Sequence, residues 1–417
     1  MDFKKVGELI RKVRKDRGMT LDDLCDDYIP RTTLSMIERG LTHNPVKVRY
    51  ILRKLDINLT DLSKKEKEQA EDQELELIIL ENRINSEPRK TLSELSKFPA
   101  EYNRPVVDFL KGRCYYKTGQ YDRAADFFNK ALRVLEKSVD HERTNLKPLC
   151  LNHLSVIEFN QGNNEKALHY VEDGINSFDL NGERQYYYIN LLTNKAIYLR
   201  GLGRAEKALK TLEEIKVNSF DINIDAVIGI YDLQAKLKRE IKLYDEAASC
   251  AIKGLELARV NYNYPRQLEL YITLGEIYRE SGKLHQAEKC LNAGIALKDK
   301  ISRRQFLIQD AYLKLGIVYF EKKDFQLSHK TLRKALNIVK IENDMLKYSK
   351  ALLYVAKCFL SECKYEKALS TFKNVYELDS DDKTNLEALR GLSQASLLLG
   401  DETNYIKYSK LYFGTGI

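Results

Sequence analysis

The sequence predicts an all-α protein, a small N-terminal helical head followed by a long array of paired helices, and the spacing of small residues is the main reason. Ala124, Ala167, Ala208, Ala247, Ala287, Ser328 and Ala368 recur at intervals of 43, 41, 39, 40, 41 and 40 residues. A steady period in this range marks stacked supersecondary units, each too small to bury its apolar face alone. Only seven prolines and no tryptophan occur in 417 residues, which suits a mostly helical chain. Single cores stop growing at roughly 250–300 residues, so a chain of this length needs an array or several domains.

The head comes first. Val6, Leu9, Ile10 and Val13 line one face of a helix predicted over Val6–Arg17, its other face is Lys and Arg, and Gly18 stops it. Thr20 is placed to cap a short second helix, with Asp22 and Asp23 at the positive end of its dipole and Leu21 and Leu24 turned inward. Tyr28-Ile29-Pro30 makes a turn into a third helix over Arg31–Arg39. That helix turns Leu34 and Ile37 inward and leaves Arg31, Thr32, Thr33, Ser35, Met36 and Arg39 outside. Gly40 ends it, and Asn44-Pro45 opens a fourth helix carrying Val48, Ile51, Leu52 and Leu55. Residues 1–55 hold 13 Lys and Arg against 8 Asp and Glu, a local excess of five positive charges.

With Arg14, Gly18-Met19-Thr20, Leu24, Ser35, Ile37-Glu38-Arg39-Gly40 and Asn44-Pro45 in these places, the head resembles the Cro and phage-repressor type of helix-turn-helix domain. The turn before the third helix is one residue short and lacks the usual glycine, and Leu21 stands where glutamine is common. The resemblance implies promoter DNA as a partner. A helix fits the major groove, where Arg bonds guanine through two parallel hydrogen bonds and hydroxyls reach bases or phosphates. Arg31, Thr32, Thr33 and Met36 are then the base-facing candidates. Lys12, Lys15, Ser35, Arg39, Lys47 and Arg49 are assigned to phosphates, which position the protein without specifying sequence. Taken singly, each is equally well a solvated surface group. One such domain reads a half-site, so a homodimer or higher homo-oligomer is implied.

The head is assigned to residues 1–62 and a charged linker to 63–72, where Ser63-Lys64-Lys65-Glu66-Lys67-Glu68-Gln69 offers little to a core. From 73 to 417 the array is expected to hold eight or nine units. Leu75, Leu77, Ile78, Ile79, Leu80 and Ile84, then Leu92, Leu95 and Phe98, begin it irregularly. In the regular units a turn residue lies five places before each anchor, at Gly119, Gly162, Gly203 and Gly282, with Lys242, Lys323 and Cys363 as replacements. Twelve places before it every residue is small: Gly112, Ser155, Ala196, Ala235, Gly275, Gly316 and Ala356. Two helix backbones approach closely there. The pattern resembles the tetratricopeptide repeat, usually about 34 residues long, and implies a right-handed superhelix with a groove lined by the first helix of each pair.

Groove-facing sites fall fifteen, eleven and eight places before the anchors. These positions and their neighbours supply the peptide-binding candidates Arg113, Tyr116, Asn152, Asn160, Asn190, Asn194, Arg200, Asp232, Arg239, Glu276 and Arg279. An Asn carboxamide both donates to and accepts from an extended backbone, and Arg suits a carboxylate. A repressor-like head before a long array resembles the RRNPP family of peptide-pheromone receptors. The resemblance implies a cytoplasmic quorum-sensing transcriptional regulator, in which a short re-imported signalling peptide binds the groove and controls DNA binding and oligomerisation. Its alternative is a peptide-inhibited phosphatase acting on a sporulation response regulator, docked near residues 75–120 with Gln120 as a candidate amide, or both activities in one chain.

No catalytic constellation stands out. His43, His141, His153, His169, His285 and His329 lack metal-ligand spacing, though His153 and His169 share one expected hairpin. There is no phosphate-cradling GxxxxGK[ST] or GxGxxG run, so neither metal nor cofactor is expected. Cys358 and Cys363 are too far apart for a CxxC pair, and all seven thiols are expected to be reduced and buried. The net charge of +8 is mild for the length. No stretch nears eighteen uninterrupted apolar residues, so no membrane partner is expected.

Overall fold

A computed structural model describes residues 3–42, 44–57, 64–98, 104–136, 144–215, 223–301, 305–342, 345–378 and 381–414. Among them the regular elements are helices and no strand occurs. They form two compact units, Met1–Lys216 and Val217–Ile417. The expected head boundary at 62 lies outside the described residues, as do His43 and His141.

The head lies in the first unit. It consists of α1 (Phe3–Asp16), α2 (Arg31–Glu38) and α3 (Pro45–Lys54) around a core of its own, in which Val6, Ile10, Leu24, Ile29, Leu34, Ile37, Ile51 and Leu55 are buried. Gly7 sits where α1 crosses α2: a Cβ there would lie 2.2 Å from the carbonyl oxygen of Ile37. The Asn44 carboxamide accepts from the amides of Val46 and Lys47 and so caps α3. The short helix expected after Gly18 is reduced to a single turn at Leu21–Cys25. Asp26 is the physical reason. One of its carboxylate oxygens accepts from the amides of Tyr28 and Ile29, which draws the backbone out of helical register. The other is held by the Tyr50 hydroxyl at 2.6 Å and the Lys54 ammonium at 2.9 Å.

In the rest of the first unit α4 (Lys64–Arg83) and α5 (Pro88–Leu95) precede three hairpins. These are α6 (Arg104–Lys117) with α7 (Tyr121–Leu135), α8 (Leu146–Asn160) with α9 (Asn164–Asn176), and α10 (Tyr187–Gly201) with α11 (Ala205–Glu213). The second unit pairs α12 (Ile224–Glu240) with α13 (Tyr244–Val260), α14 (Tyr264–Glu280) with α15 (Leu284–Ile295), and α16 (Gln305–Glu321) with α17 (Phe325–Glu342). It ends with α18 (Met345–Ser361) beside α19 (Tyr365–Glu377) and α20 (Asp382–Leu398) beside α21 (Glu402–Gly414). Within each unit the first helices of successive pairs touch, α6 with α8 and α8 with α10 in the first, and α12 through α20 in order in the second. One continuous face of first helices results in each unit.

The small-residue code is a packing code. All seven anchors are fully buried. A Cβ on Gly112 would come within 2.6 Å of the Phe128 ring, one on Gly275 within 2.7 Å of Leu291, and one on Gly316 within 2.6 Å of Leu332. Gly316→Val should therefore destabilise the second unit by about 1–3 kcal/mol through overpacking, more than the few tenths that replacing a helical glycine returns. Urea denaturation checks it, and an unchanged midpoint would mean that the hairpin is not closely packed there. At the turns, Gly119, Gly162, Gly203 and Gly282 have φ between 72° and 85°, and Lys242, Lys323 and Cys363 take the same left-handed conformation at 59° to 63°. Without glycine that conformation costs about 1–2 kcal/mol per residue. Cys363 is exposed there, contrary to the expectation of burial, because its turn faces solvent. Cys114, Cys150 and Cys358 are buried, and none of the seven thiols is paired. No helix among the described residues is long and apolar enough to cross a membrane.

Candidate functional site

Two surfaces carry the candidates, one on the head and one on the first-helix faces. On the head, Arg31 and Thr32 at the start of α2, Arg39 just past its end, and Lys12 and Lys15 on α1 are exposed. Arg31 contacts Asp22 at 3.0 Å, but both side chains remain about two-thirds open to solvent. Ser35 and Met36 are half-buried. Two candidates point the wrong way for an outer surface. Thr33 is only 2% exposed, on the side of α2 that packs with Leu34 and Ile37, and Lys47 is only 4% exposed, its ammonium 5.5 Å from the centre of the Tyr28 ring. Arg49 is engaged elsewhere, bonded to Glu74 of α4 at 2.7 Å.

In the first unit, the Asn194 carboxamide of α10 donates to the buried Asn152 of α8 at 2.8 Å. Each amide has more donors and acceptors than that bond uses. Beside it the Ser155 and Tyr198 hydroxyls lie 3.0 Å apart. Burial pushes the Tyr116 phenol up despite a hydrogen bond with Asn160. Asn190 is exposed and Arg200 half-buried on α10. Arg113 of α6 donates to Glu81 of α4 at 2.6 Å, and its guanidinium lies over the Phe109 ring. His153 stacks on Phe128 with ring centres 4.9 Å apart, and Phe109 and Tyr116 also contact it. Burial, helped by Arg113 and Lys117, pulls that imidazole down to about 3, so it is neutral at physiological pH. His169 instead is exposed beside Asp173. The hairpin they share does not make them a site.

In the second unit the candidates converge on each other. Asp232 accepts from Lys236 at 2.5 Å and from the Thr273 hydroxyl at 2.6 Å. Glu276 is reached by Lys314 at 3.0 Å, Arg279 at 3.2 Å and Arg239 at 3.7 Å, and Arg279 continues to Glu321 at 2.8 Å. Burial alone would push the Glu276 carboxyl up, but Lys314 and Arg279 override it and hold it down at about 2. Arg279 is raised, its acidic neighbours overriding its burial. These ion pairs stitch α12, α14 and α16 together, which partly neutralises the cations expected to meet a ligand. Glu81, Thr273, Lys314 and Glu321 were not singled out from the sequence. The usable signal was spacing: Asn152 and Asn194 stand 42 residues apart, as do Arg279 and Glu321, and Asp232 and Thr273 stand 41 apart, one repeat in each case.

The fold is that of tetratricopeptide-repeat proteins, and the tetratricopeptide repeat family matches residues 109–138 and again 268–301. Among solved structures the chain is similar to the apo form of the quorum sensor NprR from B. thuringiensis. That match has 15% identity and a TM-score of 0.59, and it covers 82% of this chain and 98% of that one. The apo form of RapI follows at 13% identity, TM-score 0.57, and 81% and 96% coverage. NprR in complex with its cognate peptide NprX matches at 13% identity and TM-score 0.50, over 73% of this chain and 87% of that one. A STAND signal-transduction ATPase with a tetratricopeptide-repeat sensor from Pyrococcus horikoshii matches 99% of this chain at 15% identity and TM-score 0.53. The chain spans only 63% of that protein. At such identities the likeness speaks for the fold. No curated protein matches the chain in sequence.

Proposed function

We propose that this chain is a cytoplasmic, peptide-responsive transcriptional regulator of the RRNPP type, most like NprR, which works as a homodimer or higher oligomer. The observation that carries the reading is the Asn152–Asn194 amide pair on consecutive first helices, in a repeat array joined to a head that exposes Arg31, Thr32 and Arg39. The amides suit the backbone of an extended peptide, and the head surface suits a major groove with its flanking phosphates. The test is selection of random duplex DNA by the full chain at about 0.1 M salt, where counterion release still favours binding. A paired half-site motif should emerge and be lost in the Arg31→Ala, Arg39→Ala double variant. No motif, or one indifferent to that change, refutes the DNA-binding part.

A second reading, phosphatase action on a sporulation response regulator, draws on the similarity to RapI and on the exposed Gln120 between α6 and α7. The Gln120 amide donates to Thr118 and accepts from Arg123. Loss of phosphate from a purified phosphorylated response regulator should be faster with the chain than without it. Equal rates dispose of this reading.

A further inference from the structure

We infer that Glu81 is an internal occupant of the ligand site, a carboxylate of this chain seated on Arg113 that a ligand carboxylate must displace, with the displacement transmitted along α4 to the head. The inference rests on reading the first-helix face as a peptide site. Arg113 stands at a groove-facing position of α6 and is only 12% exposed, yet its partner comes from α4, which precedes the regular repeats. The contact is single-point, from one Nη to one Oε, whereas a guanidinium offers five donors and prefers a carboxylate through two parallel bonds. An incoming carboxylate that engages both forks holds the advantage.

A displaced Glu81 has somewhere to go. Its side chain is 26% exposed and lines a cavity of about 230 Å³ between the head and the repeats, which Glu74, Ile78, Glu183 and Arg184 also line. Arg184, which donates to the Thr144 carbonyl at 3.0 Å and pairs with Glu183 at 3.1 Å, puts a second cation on that cavity, which a displaced Glu81 would share with Glu183. The phenol of Tyr186, pushed up chiefly by burial, responds to Glu81, Arg184 and Arg113 together, so the three charges share one neighbourhood. Seven residues before Glu81, two turns back on the same face of α4, Glu74 holds Arg49 of α3 at 2.7 Å. One helix therefore carries the occupant at one point and the tether to the head at the other. Because Glu81 favours the ligand-free arrangement and a ligand carboxylate disfavours it, the ligand gains the differential affinity that a population shift requires.

The experiment uses the full chain and two probe pools: random heptapeptides with free carboxylates, and C-terminally amidated heptapeptides without Asp or Glu. Native mass spectrometry reads the amount retained, and hydrogen exchange reads residues 45–54 and 74–83. Wild-type protein should retain the carboxylate pool preferentially. Glu81→Gln should retain about five times more of it and exchange faster in both segments, whereas Arg113→Gln should lose the preference. A purely structural ion pair would make Glu81→Gln bind less, and Glu81→Ala repeats the comparison if the first variant melts early. Equal retention of both pools, or no gain in either Glu81 variant, overturns the inference and leaves the peptide reading standing. If neither pool binds any variant, the peptide reading falls, and the inference with it.

Discussion

Glu38→Gln is expected to destabilise the head by about 3–5 kcal/mol, because it leaves a buried guanidinium without its counter-charge. Arg14 and Glu38 are both more than nine-tenths buried, and two guanidinium nitrogens reach the two carboxylate oxygens at 2.5 and 2.9 Å. The third nitrogen donates to the Met19 carbonyl at 2.8 Å, so one side chain pins the end of α1, the Gly18-Met19 turn and the end of α2. Arg14→Met should do comparable damage by orphaning the carboxylate instead. Combining Arg14→Met with Glu38→Met should recover most of the loss, since a buried ion pair contributes little net stability over apolar replacements of similar volume. Native-state hydrogen exchange of α1 and α2 gives the local free energy. Losses below about 1 kcal/mol in both single variants would show that water reaches the pair. The same variants should lose any selected DNA motif while the repeats keep their exchange protection, because the head has a separate core.

The repeat architecture was legible because close packing of two helices depends on residue size at fixed spacings, and size is written in the sequence. Ala124 through Ala368 are buried for that reason, and the turn positions hold left-handed backbone even where Lys242, Lys323 and Cys363 replace glycine. Side-chain direction at helix margins was less legible. Thr33 and Lys47 read as outward because Thr and Lys are polar, but a threonine methyl and a lysine stem pack readily against apolar neighbours. The short helix after Thr20 failed because Asp26 acts through its side chain on the backbone beyond it, a competition that helical periodicity does not record. Arg14 shows the opposite case. It belonged to the pattern of a DNA-binding domain, and the structure gives it a folding role. For Arg113 and Arg279 the residues were legible and the acids Glu81 and Glu321 were not, since each comes from another helix one repeat or so away in sequence. Glu276 was legible, but the convergence of Arg239, Arg279 and Lys314 on it was not.

Those partners determine the largest effect expected in the second unit, that of Glu276→Gln. Glu276 is buried, and three cations from three successive first helices surround it, Arg239, Arg279 and Lys314. Removing its charge takes away the one acid that all three cations share and leaves them only the more exposed Glu280, Glu321 and Asp310. A loss of about 3 kcal/mol at neutral pH is therefore the expected scale, the low end for a broken buried pair. Protonation should mimic the mutation. The carboxyl is held at about 2 in the folded chain against 4.5 ordinarily, so its stabilising contribution is complete above about pH 5 and fades as pH falls toward 2. A shift of that size corresponds to roughly 3 kcal/mol at full strength. Hydrogen exchange localised to residues 264–280 and 305–321 isolates this contribution from other acid-sensitive groups such as Asp26 of the head, also held at about 2. Wild-type protection in those two segments should fall between pH 5 and 2.5, and the Glu276→Gln chain should start lower and fall less steeply. Parallel profiles would mean that the carboxylate is not the hub of the network, and that α12, α14 and α16 are held together by their other contacts, among them Arg279–Glu321 and Thr273–Asp232.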